Sequence, residues 1–136
     1  MAEGSFKAHG RPTPQGSKKN VAPLGQRARL VEVSAGNKQW RKTVAAACAA
    51  HYDGPPNTAP VLLELDFQLL RPKTVRRLWP TVRPDLDKLC RSVLDGLTDG
   101  GLLADDSIVI SLLATKSYCD SPVREGVFVN WETLDT

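Results

Sequence analysis

One stretch, residues 83–107, constrains the fold and the chemistry of this chain more than any other. Apolar residues from Leu86 to Leu97 recur at helical spacing and form a single stripe. Gly100 and Gly101 follow them, as glycines do where a helix ends. The stretch therefore predicts a helix flanked by acids at both ends. Its acids are six aspartates and no glutamate: Asp85, Asp87, Asp95, Asp99, Asp105 and Asp106.

Three of these aspartates, Asp85, Asp87 and Asp106, are predicted metal ligands. A helix over residues 86–99 is about 20 Å long, and the six residues after it can span roughly the same distance back. The chain can therefore return and bring the three carboxylates together. For any single aspartate, a helix cap or a turn is the stronger interpretation. The joint pattern favours a cation that relieves their repulsion, and oxygen-only ligands select Mg²⁺, Mn²⁺ or Ca²⁺ over Zn²⁺.

Arg91 lies one helical turn beyond Asp87, on the same polar side as Asp95. A cation in this position can stabilise the charge that develops on a phosphate or orient a carboxylate. Beside a basic surface, such a site predicts metal-assisted phosphodiester hydrolysis, in which the metal activates a water and stabilises the leaving oxygen.

The charge of the chain is divided between its two halves. Residues 1–83 carry 14 Lys or Arg against 5 Asp or Glu, and residues 84–136 carry 4 against 10. A polyanion bound near a cation site fits this division, and a chance asymmetry of solvated surface explains it equally well.

Two basic, proline-containing loops are predicted at residues 10–20 and 71–83. For the first loop alone, a solvated surface is the favoured interpretation. The second feeds directly into the aspartates and includes Trp79, which suits either an unstacked base or the core. The predicted DNA contacts are Lys18, Lys19, Arg71, Lys73, Arg76 and Arg77.

The remaining pattern predicts an α+β (or α/β) fold of one domain, residues 1–136, with a mixed β-sheet and two main helices. Asn37 is predicted to cap the first helix, residues 38–51. Alternation of apolar residues makes 61–70 the clearest strand. The other predicted strands cover residues 5–9, 30–33, 108–116 and 126–132, and the last two are expected to pair as a hairpin.

Composition excludes several classes of protein. No apolar run approaches the roughly 20 residues that cross a bilayer, and no secretory signal is visible. Two histidines leave little room for a histidine-rich metal site or a Ser-His-Asp triad. Cys48, Cys90 and Cys119 are odd in number and widely spaced, which predicts reduced thiols in a cytosol.

The segment RPDLDKLCRSVLDGL…GGLLADDSIV resembles the RusA family of Holliday junction resolvases, which are common in phages and prophages. The family shows D-x-D-N, a lysine four residues after the second aspartate, a helical aspartate, and D-D-[SA]-x-[VI] at a strand start. These motifs correspond to residues 85–88 and 104–109 here. The N-terminal GRPTPQGSKK is similar to the start of phage members.

The resemblance implies a small homodimer that depends on Mg²⁺, with Mn²⁺ as a substitute, and nicks four-way junctions symmetrically in DNA recombination and repair. It implies action in the cytoplasm of a bacterial host cell. The family's catalytic aspartates correspond to Asp85, Asp87 and Asp106. Lys88 replaces the family's asparagine and Arg91 its lysine. Arg91 keeps the charge but does not give up a proton, which favours phosphate contact over proton transfer.

Two alternatives stay open at this point. A non-catalytic module that binds branched DNA would bind junctions in EDTA and nick nothing. A less structure-selective Mg²⁺-dependent nuclease would cut linear duplex and junction at similar rates.

Overall fold

A computed structural model of the protein describes residues 2–16, 18–20, 30–32 and 36–135. Two short 3₁₀ turns, Asp106–Ile108 and Pro122–Arg124, flank the strand β5. The strands are β1 (Glu3–His9), β2 (Lys18–Asn20), β3 (Leu30–Glu32), β4 (Val61–Leu70), β5 (Val109–Cys119) and β6 (Gly126–Thr133), and the helices are α1 (Asn37–His51) and α2 (Leu86–Asp99).

Four strands form one mixed sheet in the order β1-β6-β4-β5, and β2 and β3 form a separate antiparallel ribbon. β4 pairs with β5 in parallel and with β6 antiparallel, and β6 also pairs antiparallel with β1. The predicted single-domain α+β fold with a mixed sheet and two main helices is therefore confirmed. Of the strand predicted over residues 30–33, residue 33 lies outside the described residues.

β5 and β6 do not form the predicted hairpin, because β4 lies between them. Parallel strands need a crossover of a dozen or more residues, and residues 71–108 with α2 supply it between β4 and β5. β4 is the most continuously apolar strand, which suits a central position. β5 carries Ser111, Thr115 and Lys116 and stays at the edge.

The core lies between the sheet and the two helices. Alternate β4 residues from Val61 to Leu69 are buried, as the alternation predicts. From α2, Leu89, Val93 and Leu97 are completely buried; each such side chain contributes about 1.5–3 kcal/mol of transfer free energy. The predicted apolar stripe therefore anchors α2.

Close contact between α1 and α2 depends on Gly96. A Cβ added there would meet the Val44 side chain at 2.7 Å, so a larger residue does not fit without a shift. Asn37 strengthens the same contact: its Oδ1 accepts a buried hydrogen bond from Ser92 Oγ at 2.7 Å. The predicted capping role of Asn37 is wrong, because α1 already begins at this residue and its side chain satisfies the buried hydroxyl.

Cys48, Cys90 and Cys119 are all buried and form no disulfide. Within the described ranges, neither helix has the length and apolar character that crossing a membrane requires.

Candidate active site

Asp85 and Asp87 lie at the start of α2, and neither side chain is used as a helix cap. Asp85 occupies the cap position with an extended backbone, but its carboxylate accepts no capping hydrogen bond. It is 52% exposed and lies 4.0 Å from Lys88 Nζ. Asp87 is exposed in the first turn. The positive end of the helix dipole stabilises both charges, so two carboxylates remain available to a ligand.

Lys116 fixes the entrance to α2 from the neighbouring strand β5. Its Nζ donates hydrogen bonds to the carbonyl oxygens of Val82 and Pro84, both at 2.8 Å. The peptide bond between Arg83 and Pro84 is cis. Sequence reasoning missed this lysine, although a lone cation in the apolar strand segment IVISLLATK was a signal for it.

Arg91 is exposed and lines a groove of about 540 Å³ between α2 and β5, together with Asp87. Burial raises the pKa of the Cys90 thiol to about 11, and the charge of Asp87 raises it further. The thiol is therefore neutral and is neither a nucleophile nor a metal ligand at ordinary pH. The rest of the lining is apolar: Leu86, Leu94, Leu112 and Ala114.

Asp105 and Asp106 have different surroundings. Asp105 accepts a hydrogen bond from the backbone nitrogen of Ser107 at 3.0 Å, and hydrogen bonds from Ser107 lower the pKa of Asp105. Asp105 therefore shapes the turn before β5. Asp106 opens that 3₁₀ turn with an exposed side chain. Within the described part of the chain, it has no hydrogen-bond or ion-pair partner.

Asp106 lies at the opposite end of α2 from Asp85 and Asp87. The turn after α2 stays at the end of the helix, because the Leu102 nitrogen donates to the Leu97 carbonyl at 3.0 Å. Val109 then pairs with the first residue of β4, whereas Lys116, seven residues and about 23 Å further along β5, reaches the entrance to α2. The length of α2 gives a similar separation of about 20 Å.

The expected return of the chain after α2 therefore does not occur. Among residues 2–16, 18–20, 30–32 and 36–135, no three His, Cys, Asp or Glu side chains come together in a group that could hold a metal ion. A single chain thus does not fit the predicted three-carboxylate site. The ligand roles of Asp85, Asp87 and Asp106 stay predictions.

Asp95 and Asp99, by contrast, hold α2 to its neighbours. Arg41 of α1 binds Asp99 through two nitrogens, with Nη2 at 3.1 Å from Oδ1, and its hydrogen bonds lower the pKa of Asp99. Asp95 accepts from Gln15 Nε2 at 3.1 Å and lies 3.8 Å from Arg41. The sequence-based interpretation of Asp99 as merely solvated is wrong. Arg41 early in α1, where the dipole disfavours a cation, was the signal for an acidic partner.

The basic loop 71–83 contains neither helix nor strand. Lys73, Arg76 and Arg77 are exposed, whereas Arg71 is partly buried with its guanidinium 5.2 Å from the centroid of the Tyr118 ring. Trp79 is 64% exposed and does not belong to the core. The backbone of Lys18 and Lys19 forms β2, and their side chains lie outside the described part of the structure.

Comparison with known protein families gives one match. The model of the family described as Endodeoxyribonuclease RusA matches residues 9–130, which is most of the chain. No curated protein was found to match.

Proposed function

Because this chain belongs to the RusA family of endodeoxyribonucleases, we propose that it resolves Holliday junctions by paired hydrolysis of phosphodiester bonds in DNA recombination and repair. The family acts on branched DNA junctions. The structural observation that supports the same activity here is the exposed carboxylate pair, Asp85 and Asp87, fixed at the start of α2 beside Arg91.

Mg²⁺ is the proposed metal, with Mn²⁺ as a substitute. Nucleases of this family generally depend on a divalent metal. The donors at the start of α2 are carboxylate oxygens, which suit these hard cations, and the nearby Cys90 stays protonated. Two carboxylates from one chain are only part of the proposed ligand set, which also includes Asp106.

The basic loop 71–83 is the proposed DNA-binding surface. Lys73, Arg76 and Arg77 are exposed and leave α2 only a short distance away along the chain. Phosphate contacts by such side chains make binding strongly salt-dependent. The exposed ring of Trp79 offers a stacking platform for a base that is unpaired at the junction. Further phosphate contacts are proposed for Arg71, Lys18 and Lys19.

Arg91 is proposed to contact the phosphate that is cut. Its guanidinium retains its proton at all ordinary pH values, so it acts as a fixed cation rather than as an acid. Its position on the groove wall with Asp87 supports this role.

A homodimer is the proposed acting form, since a four-way junction needs two symmetric cuts. We place it in the cytoplasm of a bacterial host cell, with phage origin suggested by the PQGSK segment. The three buried thiols without a disulfide support a reducing compartment.

A cleavage assay tests the activity. A synthetic four-way junction and a linear duplex of the same arm sequence are incubated with wild-type protein in Mg²⁺ or in EDTA. We expect paired nicks in the junction only, with Mg²⁺ only, and none with Asp87→Asn. Asp53→Asn, which changes an exposed aspartate before β4, is the matched control and retains activity.

The outcomes separate the proposal from its alternatives. Junction binding in EDTA without nicking in any divalent metal would identify a non-catalytic binding module. Similar rates on junction and duplex would identify a less selective nuclease. Full activity of Asp87→Asn would remove the carboxylate pair from the mechanism.

A further inference from the structure

We propose that a second copy of this chain completes the active site, docking antiparallel along the edge of β5 so that the partner's Asp106 lies beside Asp85 and Asp87. The inference rests on the proposed function. It accounts for the misfit between one chain and a three-carboxylate site, because the two halves lie at opposite ends of α2.

The edge of β5 has the properties of an uncovered interface. β5 is hydrogen-bonded to β4 on one side only. Its apolar side chains Ile110, Leu112 and Leu113 are 60%, 42% and 60% exposed. Open edges of this length are ready templates for another strand. The adjoining groove between α2 and β5 continues the apolar surface past Leu112 and Ala114.

Two-fold symmetry supplies the required geometry. In such an interface residue i meets residue j and j meets i, and the two strands run in opposite directions. With the axis between Leu112 and Leu113, Val109 faces the partner's Lys116. Lys116 is bonded to the carbonyl of Pro84, next to Asp85. Asp106, three residues before Val109, is thereby carried to the start of the other copy's α2.

Charge is complementary in this arrangement. The entrance to α2 carries four cations, Arg83, Lys88, Arg91 and Lys116, against the two carboxylates of Asp85 and Asp87. The other end of β5 carries Asp105 and Asp106. Antiparallel docking places the acidic end of each copy against the basic end of the other, whereas parallel docking would set like charges together.

A second copy is a better occupant than a different protein. The surface of one chain contains both halves of the site, separated by the length of β5. Only a copy of the same chain supplies the missing carboxylate at both ends through one self-complementary contact.

Heterodimers test the proposal. Asp87→Asn and Asp106→Asn chains are co-expressed with different tags and purified on both tags. If the site is shared, one of the two sites in each heterodimer contains no substitution, and junction nicking and Mn²⁺ binding recover to about half of the wild-type level per dimer. If each chain forms its own site, both sites carry a substitution and neither measurement recovers.

A matched control pairs Asp85→Asn with Asp87→Asn. These residues lie in the same half of the site, so this heterodimer has no intact site in either arrangement and stays inactive. Mn²⁺ binding, followed by electron paramagnetic resonance, is the measurement that does not depend on cleavage. Light scattering of wild-type protein and of Leu112→Asp gives the masses, with a dimer and a monomer expected.

The two proposals fail in different ways. Wild-type nicking with no recovery of nicking or Mn²⁺ binding in the first heterodimer would overturn the shared site and leave the nuclease activity intact. Recovery of Mn²⁺ binding without nicking by any protein would support the shared site and overturn the nuclease activity. A dimeric Leu112→Asp variant with normal Mn²⁺ binding would contradict docking along β5.

Discussion

Lys116 of β5 donates a hydrogen bond from its Nζ to the carbonyl oxygen of Pro84, one residue before Asp85. The sheet edge and the carboxylate pair are thus one connected unit, although 31 residues separate Asp85 from Lys116. This contact makes the position of α2 relative to β5 a determinant of activity.

Replacing Lys116 by methionine is expected to lower kcat for junction cleavage more than it raises KM. The apolar chain is kept, while the two bonds that hold the entrance to α2 are lost. A displacement of reacting groups by about 1 Å costs up to roughly 100-fold in rate. Steady-state kinetics measure the split. Lys42→Met, an exposed change on α1, is the control, and an unaltered kcat for Lys116→Met would show that the contact does not position the site.

Gly96→Ala is expected to destabilise the protein by roughly 1–3 kcal/mol, the usual range for overpacking. Alanine would gain up to about 1 kcal/mol from helix propensity, but its Cβ meets Val44 at 2.7 Å. Urea denaturation gives the free energy of unfolding. Val44→Ala is the partner change: the double variant should be more stable than the sum of the two single effects. Simple additivity would exclude this contact as the cause.

The ion pair between Arg41 and Asp99 should make stability depend on pH in the acid range. Hydrogen bonds from Arg41 lower the pKa of Asp99, so the contribution is complete above the ordinary aspartate pKa of about 3.9 and disappears as the pH falls through the lowered value. Because the pair is exposed, Asp99→Asn should cost only about 0.2–1 kcal/mol near pH 7.

Denaturation of wild type and Asp99→Asn across the acid range checks this pH dependence, with Arg41→Met completing a double-mutant cycle. Junction cleavage near neutral pH should be unchanged by Asp99→Asn. A stability difference that stayed constant down to the lowest pH would contradict the assigned pKa shift.

Trp79→Ala should weaken junction binding by about 1–3 kcal/mol, the usual contribution of one stacked base. Stability should not change, because the ring is 64% exposed. Fluorescence anisotropy with a labelled junction in EDTA measures the affinity without cleavage. Leu78→Ala removes a neighbouring, 74% exposed side chain that has no ring. Equal effects of the two changes would argue against stacking.

Local features of the sequence predicted α2 and β4 well. The stripe from Leu86 to Leu97 and the glycines after it determine a helix without reference to the rest of the chain. The alternation in residues 61–70 does the same for a strand. Asn37 was misassigned because a buried hydroxyl on α2, invisible in the local sequence, competes for its side chain.

The pairing of strands and the site depended on longer-range structure. Chain length allowed β5 and β6 to pair directly, and it allowed Asp106 to return to Asp85. The parallel pairing of β4 with β5 excludes both, because β5 must begin where α2 ends. Spacing alone gives the reach of a segment and not its direction, so the residues of the site were predictable while their separation in one chain was not.

Cleavage of a supercoiled plasmid that extrudes a cruciform tests the central claim most directly. One nick releases the supercoiling and gives an open circle, whereas two symmetric nicks made within one encounter give a linear molecule. With Mg²⁺, wild-type protein should produce mainly linear DNA, and a plasmid without the inverted repeat should stay supercoiled. Open circles alone, or equal cutting of both plasmids, would contradict a paired junction resolvase.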